Sequence, residues 1–348
     1  MPAARPLIII GGGLAGLALG IGLRQKDIPV TLYEAGGYPR HRVCGEFISG
    51  RGQQCLTQLG LAELLAQAGA VVARTAAFYS PRRSTPARPL PAPALCLSRW
   101  QLDARLAEHF RLLGGDLQTG QRLDPARAGE GMVLANGRRA AAADLREPRW
   151  FGLKIHARHV PLQADLEMHV SPQGYVGLCR VEQGLVNVCG LFRRTRHAPA
   201  QPGEARQLLF GPPGSLLQER LAAAEFDEAS FCSVAGLSWQ PRPTAGRPEV
   251  CLGDALTLIP PVTGNGMSMA LESSELALQP LADWSRAARP WPEVRQEISR
   301  RCDAAFTRRL VWAQRLQQLI LTVPLQNLLV ALAARHERFA RLAFELTR

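Results

Sequence analysis

Lysine is almost absent from this chain: of 41 basic side chains only Lys26 and Lys154 are lysines, and the rest are arginines. A net charge of +12 built this way reads as compositional bias rather than a recognition patch. The basic residues are not interleaved with aromatics, which make up 6% of the chain, in any nucleic-acid-binding module, so nucleic acid is not an expected partner. The eight cysteines include no C-x-x-C pair, which argues against a zinc site or a stapled secreted scaffold; no metal is expected, and a reducing cytoplasm is the natural compartment. Long apolar runs are also lacking. The best of them, 316–334, is interrupted by Pro324 and several amides and makes a poor membrane span.

What is present is enough apolar material, 47% of 348 residues, to bury a large core in two domains, or in one discontinuous domain carrying an insertion. The chain opens on Leu7-Ile8-Ile9-Ile10-Gly11-Gly12-Gly13-Leu14-Ala15-Gly16, a short apolar strand followed by glycines at positions one, three and six. Gly11 permits a tight turn, Gly13 lets the backbone approach a pyrophosphate, and Gly16 lets the next helix sit close to the sheet. A second strand over 28–33 ends in Glu34, followed by Ala35, where a carboxylate can take the hydroxyls of a ribose. The rival reading is a secretory signal, since Arg5 precedes the apolar stretch. A glycine triplet is poor material for its helical core, and the phosphate loop is preferred.

Further along, leucines and a cysteine at helical spacing predict a helix over 52–65. The proline- and arginine-rich 81–93 reads as an exposed loop or edge hairpin. Ser98 caps a helix running to about 113, and a strand with an Asn136-Gly137 hairpin turn follows. Short alternating segments between 151 and 192 predict antiparallel strands. A buried strand then ends in Gly253-Asp254, and Gly264-Asn265-Gly266-Met267 opens a helix reaching about 279. The expected architecture is α/β. A Rossmann-like nucleotide-binding domain is drawn from 1–75, 95–150 and 245–285, an inserted antiparallel-sheet substrate domain from 76–94 and 151–244, and C-terminal helices from 286–348.

With these residues in place, the chain resembles the FAD-dependent oxidoreductases of the aromatic-hydroxylase and geranylgeranyl-reductase type over most of its length. The resemblance rests on three segments. These are the glycine loop with Glu34; Arg40-His41-Arg42-Val43-Cys44-Gly45-Glu46-Phe47; and 251–271, with its Gly-Asp motif followed by a proline and glycine turn into a helix. It implies that Gly11, Gly13, Leu14, Ala15, Gly16, Glu34 and Ala35 hold the pyrophosphate and ribose of FAD. Cys44, Gly45 and Glu46 would run beside the flavin. Gly253, Asp254, Pro261, Gly264, Asn265, Gly266 and Met267 would take its ribityl chain and pyrimidine edge, with a helix N-terminus favouring negative charge on the reduced ring. Arg42 and Arg99 are expected to contact phosphate or ribityl groups. Cys44 has two readings, a direct role or inert packing. Lys154 also has two, an ordinary exposed strand lysine or a cation over the substrate pocket, with His156 on the same face.

The implied function is oxidation or reduction of a hydrophobic small molecule. The leading form is a monooxygenase working through a flavin C4a-hydroperoxide, with NADPH or NADH as electron donor. A reductase of isoprenoid or polyene double bonds is the alternative, and a flavin-binding module with little catalysis comes from another class. The Gly-Ala-Asp-Gly-like segment of the family is missing from 138–149, where only Asp144 stands as a remnant, and the Trp-x-Trp-x-Ile-Pro segment of flavin-dependent tryptophan halogenases is absent. Both departures weigh on the choice of reaction. The residues 286–348 carry twelve arginines against five acids, leaving seven net positive charges. Packing against the body of the protein explains the apolar part of this region. The alternative is peripheral contact with a membrane surface, or with an acidic carrier protein presenting the substrate.

Overall fold

One leucine and three isoleucines without a polar interruption form β1 (Leu7–Ile10), the middle strand of a five-stranded sheet. The computed structural model describes residues 4–138, 150–193, 205–237, 239 and 247–336. Beside β1 lie β2 (Val30–Glu34) and β7 (Asp116–Thr119) on one hand, and β8 (Met132–Leu134) and β14 (Val250–Cys251) on the other, all parallel. Near-continuous apolar strands suit a parallel sheet covered on both faces. Helix α1 (Leu14–Arg24) is buried at every residue but Arg24, because it is packed from several sides. A methyl group added at Gly20 would lie 2.8 Å from the Phe110 ring, and one at Gly22 would lie 3.0 Å from Leu278. These glycines let α1 sit close to α4 (Arg99–Leu112) and to Gly266–Ser285, the long helix α6 below.

Three local expectations are corrected. The helix expected over 52–65 is two, α2 (Arg51–Gln58) and α3 (Ala62–Gln67). Gly60 takes φ +70°, and the bonds Gly60 N to Thr57 O and Leu61 N to Leu56 O close a left-handed helix terminus. Asn136-Gly137 is not a hairpin turn: β8 pairs in parallel with β1 and β14, and the chain leaving it crosses over Gly11. The helix opened by Gly266 continues through Pro280 to Ser285. The expected cap at Ser98 is present, its hydroxyl accepting from Gln101 N.

The second sheet follows the order β13 (Glu225–Leu237), β9 (Trp150–Arg158), β12 (Val186–Arg193), β11 (Gly174–Arg180), β10 (Leu166–Ser171), β4 (Val71–Ser80), β6 (Arg88–Cys96), β3 (Phe47–Ile48), with β5 (Arg83–Ser84) paired to β4. Its pairs are antiparallel except β10 with β4, which run parallel from Leu166 against Ala76 to His169 against Tyr79. The 81–93 segment forms β5 and most of β6. Pro89, Pro91 and Pro93 are tolerated because β3 covers only the end of β6, at Leu95 and Cys96. Sheet residues thus reach back to Val71 and take in Phe47 and Ile48.

Alternate residues divide this sheet between two environments. Ile155, Val176, Leu178 and Val188 pack on the short helix α5 (Leu216–Leu221), while the opposite face looks toward the parallel sheet. Helices α7 (Trp291–Ile320) and α8 (Val323–Arg335) meet at 109°. Helix α8 is tied to the second sheet by Gln326 Nε2 donating to Ser171 O and by Ser80 Oγ bonding Asn327 Oδ1, at 2.9 and 2.8 Å. Among the described residues no single helix is long and apolar enough to cross a membrane. Leu316, Ile320 and Val330 instead face an interior cavity.

Candidate functional site

The carboxyl ends of β1, β2, β8 and β14 converge on one mouth, the position at which open parallel sheets bind ligands. There the three glycines meet three different demands. Gly11 has φ +112°, and a methyl group on it would lie 2.4 Å from the Ala135 backbone; one on Gly16 would lie 2.0 Å from Gly11 O. A methyl group on Gly13, by contrast, would meet nothing within 4 Å. Gly13 caps α1, so an open cradle lies in front of helix N–H groups that have no helical partner.

Glu34, at the end of β2, is 5% exposed. Its carboxylate accepts from Gly12 N and Gly36 N, both at 2.9 Å, and pairs with Arg40 at 3.0 Å and Arg42 at 3.8 Å. Burial pushes its pKa up. The Gly36 N–H and the two guanidiniums outweigh that and hold it below the ordinary carboxylate value. Asp254 stands at the opposite wall. Its side chain is exposed to the open mouth, yet the protein crowded around it withdraws enough water to raise its pKa against the pull of Arg99, Arg138 and Arg42. Gly264, in the left-handed region at φ +61°, lets the chain turn into α6 against Phe47, whose ring would be 2.0 Å from a methyl group there.

All these segments border one cavity of about 1460 Å³, larger than the roughly 300–1,000 Å³ of a single-ligand pocket. Of the candidate residues named from the sequence, Gly16, Asn265, Lys154 and its neighbour His156 are not in its wall; the others are. Arg42 and Arg99 are aimed by a residue the sequence reading passed over. Asp103, 1% exposed, accepts from Arg99 Nε and Nη2 at 2.8 and 2.7 Å and from Arg42 Nε at 3.1 Å. Its spacing of four from Arg99 on a helix was the available signal.

Lys154 is neither exposed nor open to the cavity. Its side chain has no exposure, and its ammonium lies 3.3 Å from Glu46 Oε1 and 3.1 Å from His41 Nδ1. Glu46, also without exposure and at φ +58°, receives Arg99 N on Oε1 at 2.9 Å and meets His156 Nε2 through Oε2 at 2.7 Å. Burial raises the Glu46 pKa, but His156 and Lys154 bring it below the ordinary value. His41 stacks on Trp100 at 4.4 Å. Burial, with the Lys154 and His156 charges adding to it, lowers its pKa to about 4. His41 is thus a neutral imidazole whose Nδ1 accepts from Lys154. The 41–47 loop lies on β9, with Val43 against Gly152. Asn187 Nδ2 donating to Cys44 O at 2.9 Å and Cys179 Sγ to Gly45 O at 3.2 Å pin it from the sheet. Burial raises the Cys44 thiol pKa despite the Arg99 charge, so this is a neutral thiol, a weak nucleophile.

Toward the second sheet the cavity becomes apolar, lined by Phe78, Met168, Val170 and Leu191, and by Leu316 and Ile320 of α7. Tyr175 in this wall was not anticipated, and nothing in its sequence neighbourhood marks it. Residues 139–149, including Asp144 and most of the segment lacking the Gly-Ala-Asp-Gly-like motif, lie outside the described residues, as do 337–348. Among the described residues no group of three or more His, Cys, Asp or Glu is arranged to hold a metal ion.

No protein-family model matches the sequence, and no curated protein is similar to it at the level of sequence. Solved structures are similar in fold. The flavin-dependent brominase Bmp2 superposes with a TM-score of 0.77 at 18% identity, covering 99% of this chain and 94% of that one. A flavoprotein/dehydrogenase from Cytophaga hutchinsonii gives 0.76 at 14% identity, over 98% and 92%. A geranylgeranyl bacteriochlorophyll reductase-like protein from Thermoplasma acidophilum gives 0.74 at 16%, over 96% and 92%. The chain shares the fold of these solved structures over nearly its whole length.

Proposed function

We propose that the protein is an FAD-dependent oxidoreductase acting on a hydrophobic small molecule. The observation that carries this reading is the single cavity running from the glycine turn at Gly13 to the apolar wall of the second sheet, a shape that takes a dinucleotide at one end and an apolar ligand at the other. The residues fit the cofactor. Gly13, Leu14 and Ala15 would hold the pyrophosphate, Glu34 the ribose, Asp254 the ribityl chain, and the backbone of 264–267 the pyrimidine edge. FAD bound there would supply two-electron chemistry and, in the presence of oxygen, oxygen activation. The chain's own part is to keep water from the apolar compartment, to fix the 41–47 loop through Glu46, and to place positive charge from Arg42 and Arg99 beside the ligand.

Monooxygenation is the preferred reaction, since the solved structures similar in fold include flavin-dependent halogenases. Saturation of isoprenoid or polyene double bonds is the second reading, favoured by the apolar lining of α7 and α8 and by the similarity to a reductase-like protein. Calorimetric titration of folded protein with FAD tests the cofactor, with one equivalent bound and a yellow flavin spectrum expected; absence of both would sink the proposal. Turnover with NADPH, NADH or a chemical reductant then separates the reactions. Oxygen uptake coupled to hydroxylation of a lipophilic phenol supports the first, and anaerobic saturation of a polyene the second. Product formed only with added bromide or chloride would replace both with halogenation.

A further inference from the structure

The interior tyrosines of this chain are treated unequally. The Tyr38 hydroxyl donates to Gly12 O, and that of Tyr79 donates to Gln163 Oε1 at 2.9 Å. Tyr175 is more enclosed than Tyr38 and nearly as enclosed as Tyr79, at 6% exposure, and it stands on the cavity face of β11, level with Leu191 of β12 and Val170 of β10. Its side chain packs with Val170, Leu191 and Val262 and lines the cavity. Among the described residues its hydroxyl has no hydrogen-bond partner. Burial raises its pKa well above that of a free phenol, so the group remains a neutral donor. The oxygen is not one of the interior atoms sealed off without a partner but opens on the cavity, and phenylalanine would fill the same space without presenting a donor there. The hydroxyl is therefore explained by something that enters the cavity rather than by the fold.

We infer that Tyr175 orients the substrate, donating a hydrogen bond to one oxygen on an otherwise apolar molecule. This rests on the reading of the cavity as a substrate site beside a flavin, and it narrows the substrate class from any hydrophobic molecule to one bearing a single hydroxyl or carbonyl oxygen. The surrounding wall of Met168, Val170, Leu191 and Ile320 supplies affinity without selectivity, because apolar contact scales with area and ignores where a polar group sits. An unpaired donor in that wall is the element that discriminates: a ligand lacking the oxygen leaves it unpaired, and one carrying the oxygen satisfies it.

The experiment compares 2-naphthol with naphthalene, two molecules of nearly equal shape, by titration into FAD-loaded and FAD-free wild type and Tyr175→Phe. Wild type is expected to prefer 2-naphthol by about tenfold more than the variant does, with naphthalene affinity and FAD affinity equal in the two proteins. An equal preference in wild type and variant, or no binding of either probe to wild type, overturns the inference. Failure of wild type to take up FAD overturns the functional proposal instead, and the preference measured in the FAD-free proteins still decides the role of Tyr175. Thermal denaturation gives a second readout. Tyr175→Phe is expected to melt at the wild-type temperature or above it, and a clear fall would show the hydroxyl to be already engaged in the free protein, which also overturns the inference.

Discussion

Glu46 and Lys154 are both wholly buried and 3.3 Å apart, and what such a pair does depends on what is left when one partner is removed. Two charges taken out of water gain little net stability together, whereas a single buried charge is costly. Lys154→Met therefore leaves the Glu46 carboxylate without its ammonium partner, held only by His156 and the Arg99 N–H, and is expected to lower stability, by at most about 3–5 kcal/mol. Adding Glu46→Gln to the same chain should recover a large part of that loss. Denaturant midpoints at neutral pH check both, and a loss from Lys154→Met below about 1 kcal/mol, the value of a solvated surface pair, would contradict the buried-pair description. The folded-state pKa of Glu46 is depressed, so its contribution is complete above the ordinary carboxylate pKa and fades as pH falls through the lower folded value. The stability difference between wild type and Glu46→Gln should accordingly shrink below about pH 4 and not change through the neutral range.

The unit of strand, glycine turn and helix at the N-terminus was legible because each glycine answers a local geometric demand that its spacing encodes. Two substitutions separate those demands. Gly16→Ala forces a methyl group to within 2.0 Å of Gly11 O and should destabilise the fold itself, with or without cofactor. Gly13→Ala meets no protein atom within 4 Å and should melt with wild type while losing FAD affinity by at least tenfold, since the methyl group enters the cradle. Equal FAD affinity in Gly13→Ala and wild type would remove the pyrophosphate from this turn. Other elements were misread where pairing partners lie far away in sequence. Asn136-Gly137 carries the local chemistry of a hairpin, yet β8 finds its partners at Ile8 and Val250, more than a hundred residues off in each direction. The parallel register of β4 with β10 spans some ninety residues and leaves no periodicity behind. Lys154 was ambiguous for the same reason: alternation assigns a strand residue to a face, but the loop of 41–47 that covers that face is read only in three dimensions.

At the scale of the whole molecule, the glycine turn, the Asp254 wall, the second sheet and the C-terminal helices all contribute to one cavity, so a ligand filling it touches every part of the fold. Binding to the folded state alone adds stability by mass action, about 2.7 kcal/mol at a hundred times Kd. For a chain of 348 residues this amounts to a rise in melting temperature of only a few degrees, because the entropy of unfolding grows with size. Where the rise falls within the melting curve is more informative than its size. FAD lying between the parallel sheet and the 41–47 loop on β9 would stabilise both layers, so the whole transition should move upward as one and sharpen. A melt that splits on adding FAD, with one step raised and the other unmoved, would mean that the cofactor engages the parallel sheet alone and that the second sheet and α7–α8 form a compartment of their own.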